Sequence, residues 1–201
     1  MEADYAHKSF TATLHRLRRL LDDDEAVVLR DGRLSLNKAR VWVDTWALEP
    51  LCDEFDAALR AAGPATARSV LGGFAEKVFA LYRGPFLPDE AEQPAYIACR
   101  EQLRARLLRF LARLARGWEE AGSPGAAADG YLRCIEVDEL CEPLYRQLML
   151  CFRRSGKPGD AIATYERLRA VLSTRMRTMP TPETQALYAN LRSTGNRIAP
   201  Q

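Results

Sequence analysis

Two stretches of this chain decide its fold: Gly122-Ser-Pro-Gly-Ala-Ala-Ala-Asp-Gly-Tyr-Leu-Arg133 and Gly156-Lys-Pro-Gly-Asp-Ala-Ile-Ala-Thr-Tyr-Glu-Arg167. They match at a shift of 34 residues in their glycine, proline, alanine, tyrosine and arginine positions. The match continues upstream, where apolar and aromatic residues align at the same shift: Leu111, Leu114 and Trp118 with Tyr145, Leu148 and Phe152. So many matched positions in one register indicate an internal repeat.

A period of 34 residues with this order of aromatic, glycine and alanine positions is typical of tetratricopeptide repeats, in which each unit is a pair of antiparallel helices. Glycine permits the tight turn, and the small alanine lets the two helices approach. We therefore predict a mainly α-helical repeat domain over residues 45–193. Its first helical pair, at 45–82, diverges from the repeat, and a last helix from Pro182 to Leu191 shields the final unit. Residues 194–201 are predicted to be a frayed tail.

Stop and start signals place the other helices of this domain. Asp44 is the expected N-cap of a helix that ends before Gly63-Pro64, and Gly72-Gly73 should weaken the next helix midway. Asp89 to Glu92 and Pro94 are expected to open a long helix that reaches Glu120. That helix carries six arginines: Arg100, Arg104, Arg106, Arg109, Arg113 and Arg116. They form either a basic ridge for an acidic protein or DNA, or a solvated face paired with acids on neighbouring helices, which we favour.

A basic amphipathic helix is predicted near the N-terminus, capped by Asp4. Phe10, Leu14, Leu17 and Leu21 form its apolar stripe. Between Tyr5 and Leu21 the chain has four Lys or Arg residues and no acid. Such a face suits the major groove of DNA, because cations neutralise phosphates while Thr and His reach base edges. The alternative is an ordinary surface helix with a solvated basic face.

A β-hairpin is predicted after this helix. Asp31-Gly32 supplies the two positive-φ positions of a type I′ turn between Ala26–Arg30 and Arg33–Asn37. Arg30 and Arg33 flank its tip. A basic helix followed by such a hairpin is the order of a winged helix, in which the helix enters the major groove and the hairpin touches the neighbouring backbone.

Three segments carry a resemblance to a known family: TATLHRLRRLL at 11–21, VVLRDGRLSLN at 27–37 and VWVDTWALEPL at 41–51. They resemble the end of a response-regulator type winged helix fused to a bacterial transcriptional activation domain, as in antibiotic-regulatory activators and large MalT-like regulators. Further along, ALYRGPFLPDE at 80–90, GKPGDAIATYERLRAVL at 156–172 and TPETQALYANL at 181–191 look like landmarks of the same activation domain.

The resemblance implies that residues 1–44 are a partial winged helix, with a recognition helix from about Ala6 to Leu21. Lys8, Ser9, Thr11, Ala12 and His15 would then face bases or nearby phosphates. Arg16, Arg18 and Arg19 would lie nearer the phosphates or pack under the wing. A complete domain of this type begins with a sheet and two helices that this sequence does not include. We therefore expect either a piece of a longer protein, which we favour, or a natural short form that has lost them.

Composition excludes several other classes. The chain has 201 residues, 47% of them apolar, and a net charge of +2, which excludes general disorder and confines any nucleic-acid contact to a local patch. Its five cysteines include no C-x-x-C pair, and both histidines lie far from them, which argues against a zinc site or a disulfide framework. We expect buried or half-buried thiols in a reducing cytoplasm. No membrane segment, cofactor motif or catalytic constellation is evident.

These observations favour a transcriptional activator, not an enzyme, whose partner is double-stranded DNA. The repeat domain would contact a protein partner, which could be a second copy, the transcription machinery or the rest of the polypeptide. A homodimer is possible on paired half-sites. The alternative is a helical-repeat module for protein interaction or effector sensing that does not bind DNA by itself.

Overall fold

The computed structural model describes residues 2–88 and 94–195, which divide into two compact units, Met1–Ala47 and Leu48–Gln201. The first contains helix α1 and a two-stranded antiparallel sheet, and the second is helical. In chain order the elements are α1 (Glu2–Leu21), β1 (Val27–Arg30), β2 (Arg33–Leu36), α2 (Asp44–Ala61), α3 (Pro64–Leu81), α4 (Pro94–Glu120), α5 (Pro124–Val137), α6 (Glu142–Arg154), α7 (Pro158–Met176) and α8 (Pro182–Gly195). The expected mainly helical fold is confirmed.

The two copies of the 34-residue repeat have the same local geometry. Gly122 and Gly156 adopt left-handed φ values of 68° and 69°, at which a side chain would be strained. In each copy the glycine amide donates to a carbonyl in the last turn of the preceding helix. The next amide donates to the carbonyl of Trp118 in the first copy and of Phe152 in the second, both at 2.9 Å. A proline then opens the following helix at its first position, where a missing N–H costs nothing.

Small and aromatic side chains fill the repeat as the period predicts. Ala127 and Ala161 are fully buried, and Tyr131 and Tyr165 are nearly so. One main core runs from α2 to α7, with Phe55 packed edge-on against both Phe74 and Phe110 at ring distances of 5.3 and 5.2 Å. The side chains of α2 and α3 thus join the core of the repeats although their sequences diverge from the repeat.

Helix α8 covers the last repeat. Its Leu191 is buried with Met149, Ala161 and Tyr165, and Tyr188 stacks on Tyr165 at a ring distance of 4.0 Å. This packing agrees with the expectation that a closing helix shields the final unit. The helix continues to Gly195, two residues into the expected tail, and residues 196–201 lie outside the described part of the chain.

Two local expectations need correction. Helix α1 begins at Glu2, so Asp4 lies within its first turn and not at the N-cap position. Asp44 is likewise the first residue of α2. The amides of Trp46 and Ala47 donate to the carbonyl of Val43, and the Asp44 carboxylate accepts from the Thr45 amide at 2.7 Å. Gly72 and Gly73 lie within the continuous helix α3, and the expected weakening of this helix stays a prediction. Residues 89–92, expected to open α4, lie outside the described residues.

Candidate nucleic-acid interface

Burial of one side chain fixes which face of α1 points outward. Leu14 is buried against Ala26 and Val27 of the hairpin segment, with Val41 packed beside them. Because an α-helix turns 100° per residue, burial of Leu14 leaves the residues on the opposite face of α1 pointing toward solvent. The apolar contact is small, but it anchors α1 to the hairpin.

Four of the predicted DNA-contacting residues form a line on the exposed side of α1. Lys8, Ala12, His15 and Arg19 recur at i, i+4, i+7 and i+11, the spacing of one helix face. All four are exposed, and Ser9 and Arg16 lie beside them, also exposed. We call Lys8, Ala12, His15 and Arg19 the α1 stripe. It is accessible along three turns of helix and presents two permanent cations, one small residue and one imidazole.

The remaining two predicted residues of α1 are engaged within the unit. Arg18 donates from Nε and Nη2 to the carbonyl of Val27, at 3.2 and 2.7 Å, and is half-buried under the first strand. It lies under the wing, one of the two positions that the family resemblance implies. The Thr11 hydroxyl donates to the carbonyl of His7 at 2.9 Å, and the residue stays exposed.

The hairpin brings two arginines together at its tip. Its register pairs Arg30 directly with Arg33, and both are exposed. Asp31 and Gly32 between them have φ values of 50° and 72°, as the predicted tight turn requires. Like charges directly opposite each other destabilise a strand pair. An anion bound between the two guanidinium groups would relieve that repulsion.

Sequence reasoning missed the role of Arg40. Its guanidinium donates to the Glu25 carboxylate at 2.6 Å and lies 4.0 Å from Asp23, so it offsets part of the acidic run that follows α1. The hydrogen bond to Glu25 and the charges of Glu25 and Asp23 raise the pKa of Arg40. In the sequence Arg40 follows the four acids only after Arg30 and Arg33, so no local pattern identifies it as the partner of Glu25.

The arginine face of α4 is mostly paired, as the favoured interpretation expects. Arg104 pairs with Glu101 and Asp138, Arg106 with Glu49, and Arg113 with Asp56. Arg100 donates to the carbonyls of Phe86 and Leu87, at 2.8 and 2.5 Å, and so holds the loop after α3. These contacts make the face a set of links between helices and leave it little free charge for a long polyanion.

The cysteines are free and buried or half-buried, as expected: Cys134 and Cys151 are buried, and Cys52, Cys99 and Cys141 are half-buried. Burial raises the pKa of Cys134 to about 12. Within the described ranges, no three His, Cys, Asp or Glu side chains cluster in a way that could hold a metal ion. None of the helices in those ranges has the length and apolar character needed to cross a membrane.

Comparison with known proteins gives two matches. Residues 43–192 match the model of a family described as the bacterial transcriptional activator domain. Among solved structures, Mycobacterium tuberculosis EmbR in complex with a low-affinity phosphopeptide is similar with a TM-score of 0.60 and 19% identity, over 94% of this chain and 50% of that one. The present chain thus spans half the length of that structure, and at this identity the likeness shows the fold alone. No curated protein matches the sequence significantly.

Proposed function

Because the chain belongs to the bacterial transcriptional activator domain family, which its residues 43–192 match, we propose that it acts as a DNA-binding transcriptional activator. The α1 stripe would lie in the major groove, whose width of about 12 Å accepts one helix. The hairpin tip would contact the adjacent phosphates. The helical repeats would contact a protein partner, either a second copy or another protein of the transcription apparatus.

One observation carries this proposal: the acid-free α1 stripe is exposed while the opposite side of α1 is held to the hairpin by Leu14 and Arg18. A helix that is fixed on one side and open on its basic side can present its side chains in one register to a duplex. The unrelieved pair of Arg30 and Arg33 supports a phosphate contact at the hairpin tip.

A salt titration of DNA affinity with the full-length protein tests the phosphate contacts. Arg19→Ala and Arg30→Ala should each reduce the slope of log affinity against log salt by about one, because each removes one phosphate contact. Arg60→Ala is the matched control, since Arg60 is an exposed arginine of the helical unit. Equal slopes for all three variants and the unmodified protein would show that neither α1 nor the hairpin contacts the phosphates of the DNA.

A selection of bound sequences from random DNA tests base recognition. His15→Ala should relax the preference at one position of the selected site, by about 1–3 kcal/mol, and leave the salt slope unchanged. Arg16→Ala, beside the stripe, should lower affinity for all sequences alike. If His15→Ala selects the same site with the same preference, His15 makes no base contact.

A second function, protein interaction without DNA binding, is supported by the apolar side of α1. Phe10, Leu17 and Leu21, which flank Leu14, remain 41%, 38% and 45% exposed. Exposed apolar residues in one stripe mark protein contacts. Sedimentation of the full chain with and without Leu17→Glu tests this contact: a dimer that dissociates in the variant, together with no DNA binding in the titration above, would favour the second function.

A further inference from the structure

A groove between α2 and α4 holds one positive and one negative side chain that form no ion pair with any residue that the structure describes. The groove has a volume of about 440 Å³ and lies entirely within the helical unit. We call it the α2–α4 groove, and its lining residues are Glu49, Cys52, Asp53, Arg106, Arg109, Phe110 and Arg113. Its volume falls within the usual range of small-molecule sites.

Two ion pairs define the register of the groove. Arg106 pairs with Glu49 and Arg113 pairs with Asp56, and in both pairs the two residues are separated by 57 positions. A constant separation means that α2 and α4 run in the same direction. Because the arginines recur at 106, 109 and 113, the corresponding positions on α2 are 49, 52 and 56.

Between these two ion pairs, the position on α2 that matches Arg109 is not an acid. Position 52, opposite Arg109, is a cysteine, and burial raises the pKa of its thiol, so the side chain stays neutral. Arg109 makes no hydrogen bond or ion pair with any residue in the described ranges. The groove therefore has a guanidinium group without a counterion, between two arginines that already have theirs.

Asp53 supplies the complementary free charge. It lines the same groove, is exposed, and within residues 2–88 and 94–195 forms no ion pair. The carboxylates of Glu49, Asp53 and Asp56 balance the charges of Arg106, Arg109 and Arg113, so this region has no net positive charge that would favour a doubly charged anion or a polyphosphate backbone. A ligand with one carboxylate and one ammonium group matches both free charges, and Phe110 and Cys52 offer it an apolar contact.

We propose that the α2–α4 groove binds a small amino-carboxylate zwitterion, such as an amino acid, whose carboxylate pairs with Arg109 and whose ammonium group pairs with Asp53. The site is separate from α1 and the hairpin, so this inference does not rest on DNA binding. A bound zwitterion would link α2 to α4 through the one position that the internal ion pairs leave open, and would stabilise the contact between these helices.

Calorimetry and thermal unfolding of the full chain test the proposal. The probes are the twenty standard α-amino acids and straight-chain ω-amino carboxylates. At least one should bind saturably and raise the melting temperature, while its methyl ester and its N-acetyl derivative, which each lack one charge, should bind at least about tenfold more weakly. Absence of binding by every probe up to about 1 mM would overturn the proposal.

Matched variants assign the two charges. Arg109→Gln should weaken the zwitterion at least about tenfold and remove the preference for it over its methyl ester, and Asp53→Asn should remove the preference over the N-acetyl derivative. Arg116→Gln and Glu54→Gln, exposed positions outside the groove on the same helices, should bind like the unmodified chain. If Arg116→Gln weakens binding as much as Arg109→Gln, the proposal fails.

A third variant uses the vacant position itself. Cys52→Asp places a carboxylate at the position that matches Arg109 in this register, where it should compete with the ligand, so binding should fall. Because Cys52 packs against the main core, thermal stability without ligand should fall as well. Unchanged binding in a folded Cys52→Asp chain would contradict the assigned register. Binding of an acidic peptide but of no amino acid would identify the groove as a protein contact and also overturn the proposal.

Discussion

At the residue scale, Gly130 sets how closely α5 approaches α4. A Cβ atom at this position would lie 3.0 Å from the Cβ and 3.3 Å from the Cα of Ala115, so it would meet the backbone of the other helix. Gly117 is different, because its Cβ would meet only the end of the flexible Leu71 side chain, at 2.6 Å. The close packing of the central repeat therefore depends on a glycine that the 34-residue match does not include.

Gly130→Ala should destabilise the fold by about 1–3 kcal/mol, because overpacking a helix contact costs more than the gain in helix propensity. The matched change is Gly73→Ala in α3, where nothing lies within 4 Å of the added methyl group. It should stabilise the chain by about 0.5–1 kcal/mol. Urea unfolding of both variants measures these changes. Equal stabilisation by the two substitutions would show that α5 has room to move.

A half-buried polar cluster connects α4, α5 and α6. Glu119 accepts from Arg154 at 2.7 Å and from the Cys151 thiol at 3.3 Å, and Tyr131 also hydrogen-bonds to it. Burial opposes the charge on Glu119, but these hydrogen bonds outweigh it and lower the pKa of the carboxyl group below its ordinary value. Burial and the bond to Glu119 also raise the pKa of Tyr131 well above its ordinary value.

The lowered pKa of Glu119 predicts a loss of stability in acid. Because the folded state holds this carboxylate ionised more strongly than the unfolded state does, its contribution is present above the unfolded pKa of about 4.3 and disappears as the pH falls through the folded pKa. Glu119→Gln should lower stability at pH 7 and flatten the decline of melting temperature below about pH 4.3. Glu120→Gln, at the exposed neighbouring position, should keep the full decline.

At the element scale, the hairpin is too short to be stable in isolation, since each strand has four residues. It is held by Val27 in the small core and by Arg18, whose two donors reach the Val27 carbonyl from α1. The position of the hairpin tip therefore depends on a residue of α1 that does not belong to the α1 stripe.

Arg18→Ala should loosen the hairpin locally, by about 1–2 kcal/mol, because it removes two charge-assisted hydrogen bonds to one carbonyl. Amide hydrogen exchange of the paired residues Val28 and Ser35 measures this opening. Arg16→Ala removes the same charge from an exposed position and should leave their exchange unchanged. Equal exchange in both variants would show that Val27 alone anchors the strand.

The elements themselves were largely predictable, and their contacts were not. Asp31-Gly32 and the apolar spacing of Leu14 and Leu17 are local signals, so both the hairpin and α1 could be placed within a few residues. The hydrogen bond from Arg18 to Val27 joins residues on two elements. From the sequence, this arginine could either contact a phosphate or pack under the wing. The DNA contacts of the α1 stripe remain a prediction.

At the scale of the whole molecule, α8 completes the repeat stack by covering Met149 and Tyr165. Leu191→Ala should cost about 2–4 kcal/mol, because this side chain is only 2% exposed and its removal leaves a cavity. Leu187→Ala, at a half-buried position on the same helix, should cost less. Thermal unfolding with calorimetry checks the order of the two, and the reverse order would place the main contact of α8 elsewhere.

The repeated part of the fold was predictable because a 34-residue period repeats both turns and both packing faces. The first helical pair was harder to describe, since α2 and α3 have few matches to that period. Their relation to α4 rests on Arg106 with Glu49 and Arg113 with Asp56. Those partners are 57 positions apart, and no local pattern indicates which acid each arginine meets. The α2–α4 groove was therefore not foreseeable from the sequence.

The matching turns at Gly122 and Gly156 make the stack modular. Excising residues 122–155 would splice Ala121 to Gly156, and the new junction would inherit the same left-handed glycine followed by a helix-opening proline. Helix α7 would then meet α4 with Ala161 and Tyr165 in place of Ala127 and Tyr131. Thr164 would stand in place of Gly130 and would have to be replaced by glycine to fit against Ala115. Inserting a second copy of residues 122–155 would lengthen the repeat stack by one unit at the same glycine turn. The length of the stack could therefore be changed without changing either of its ends.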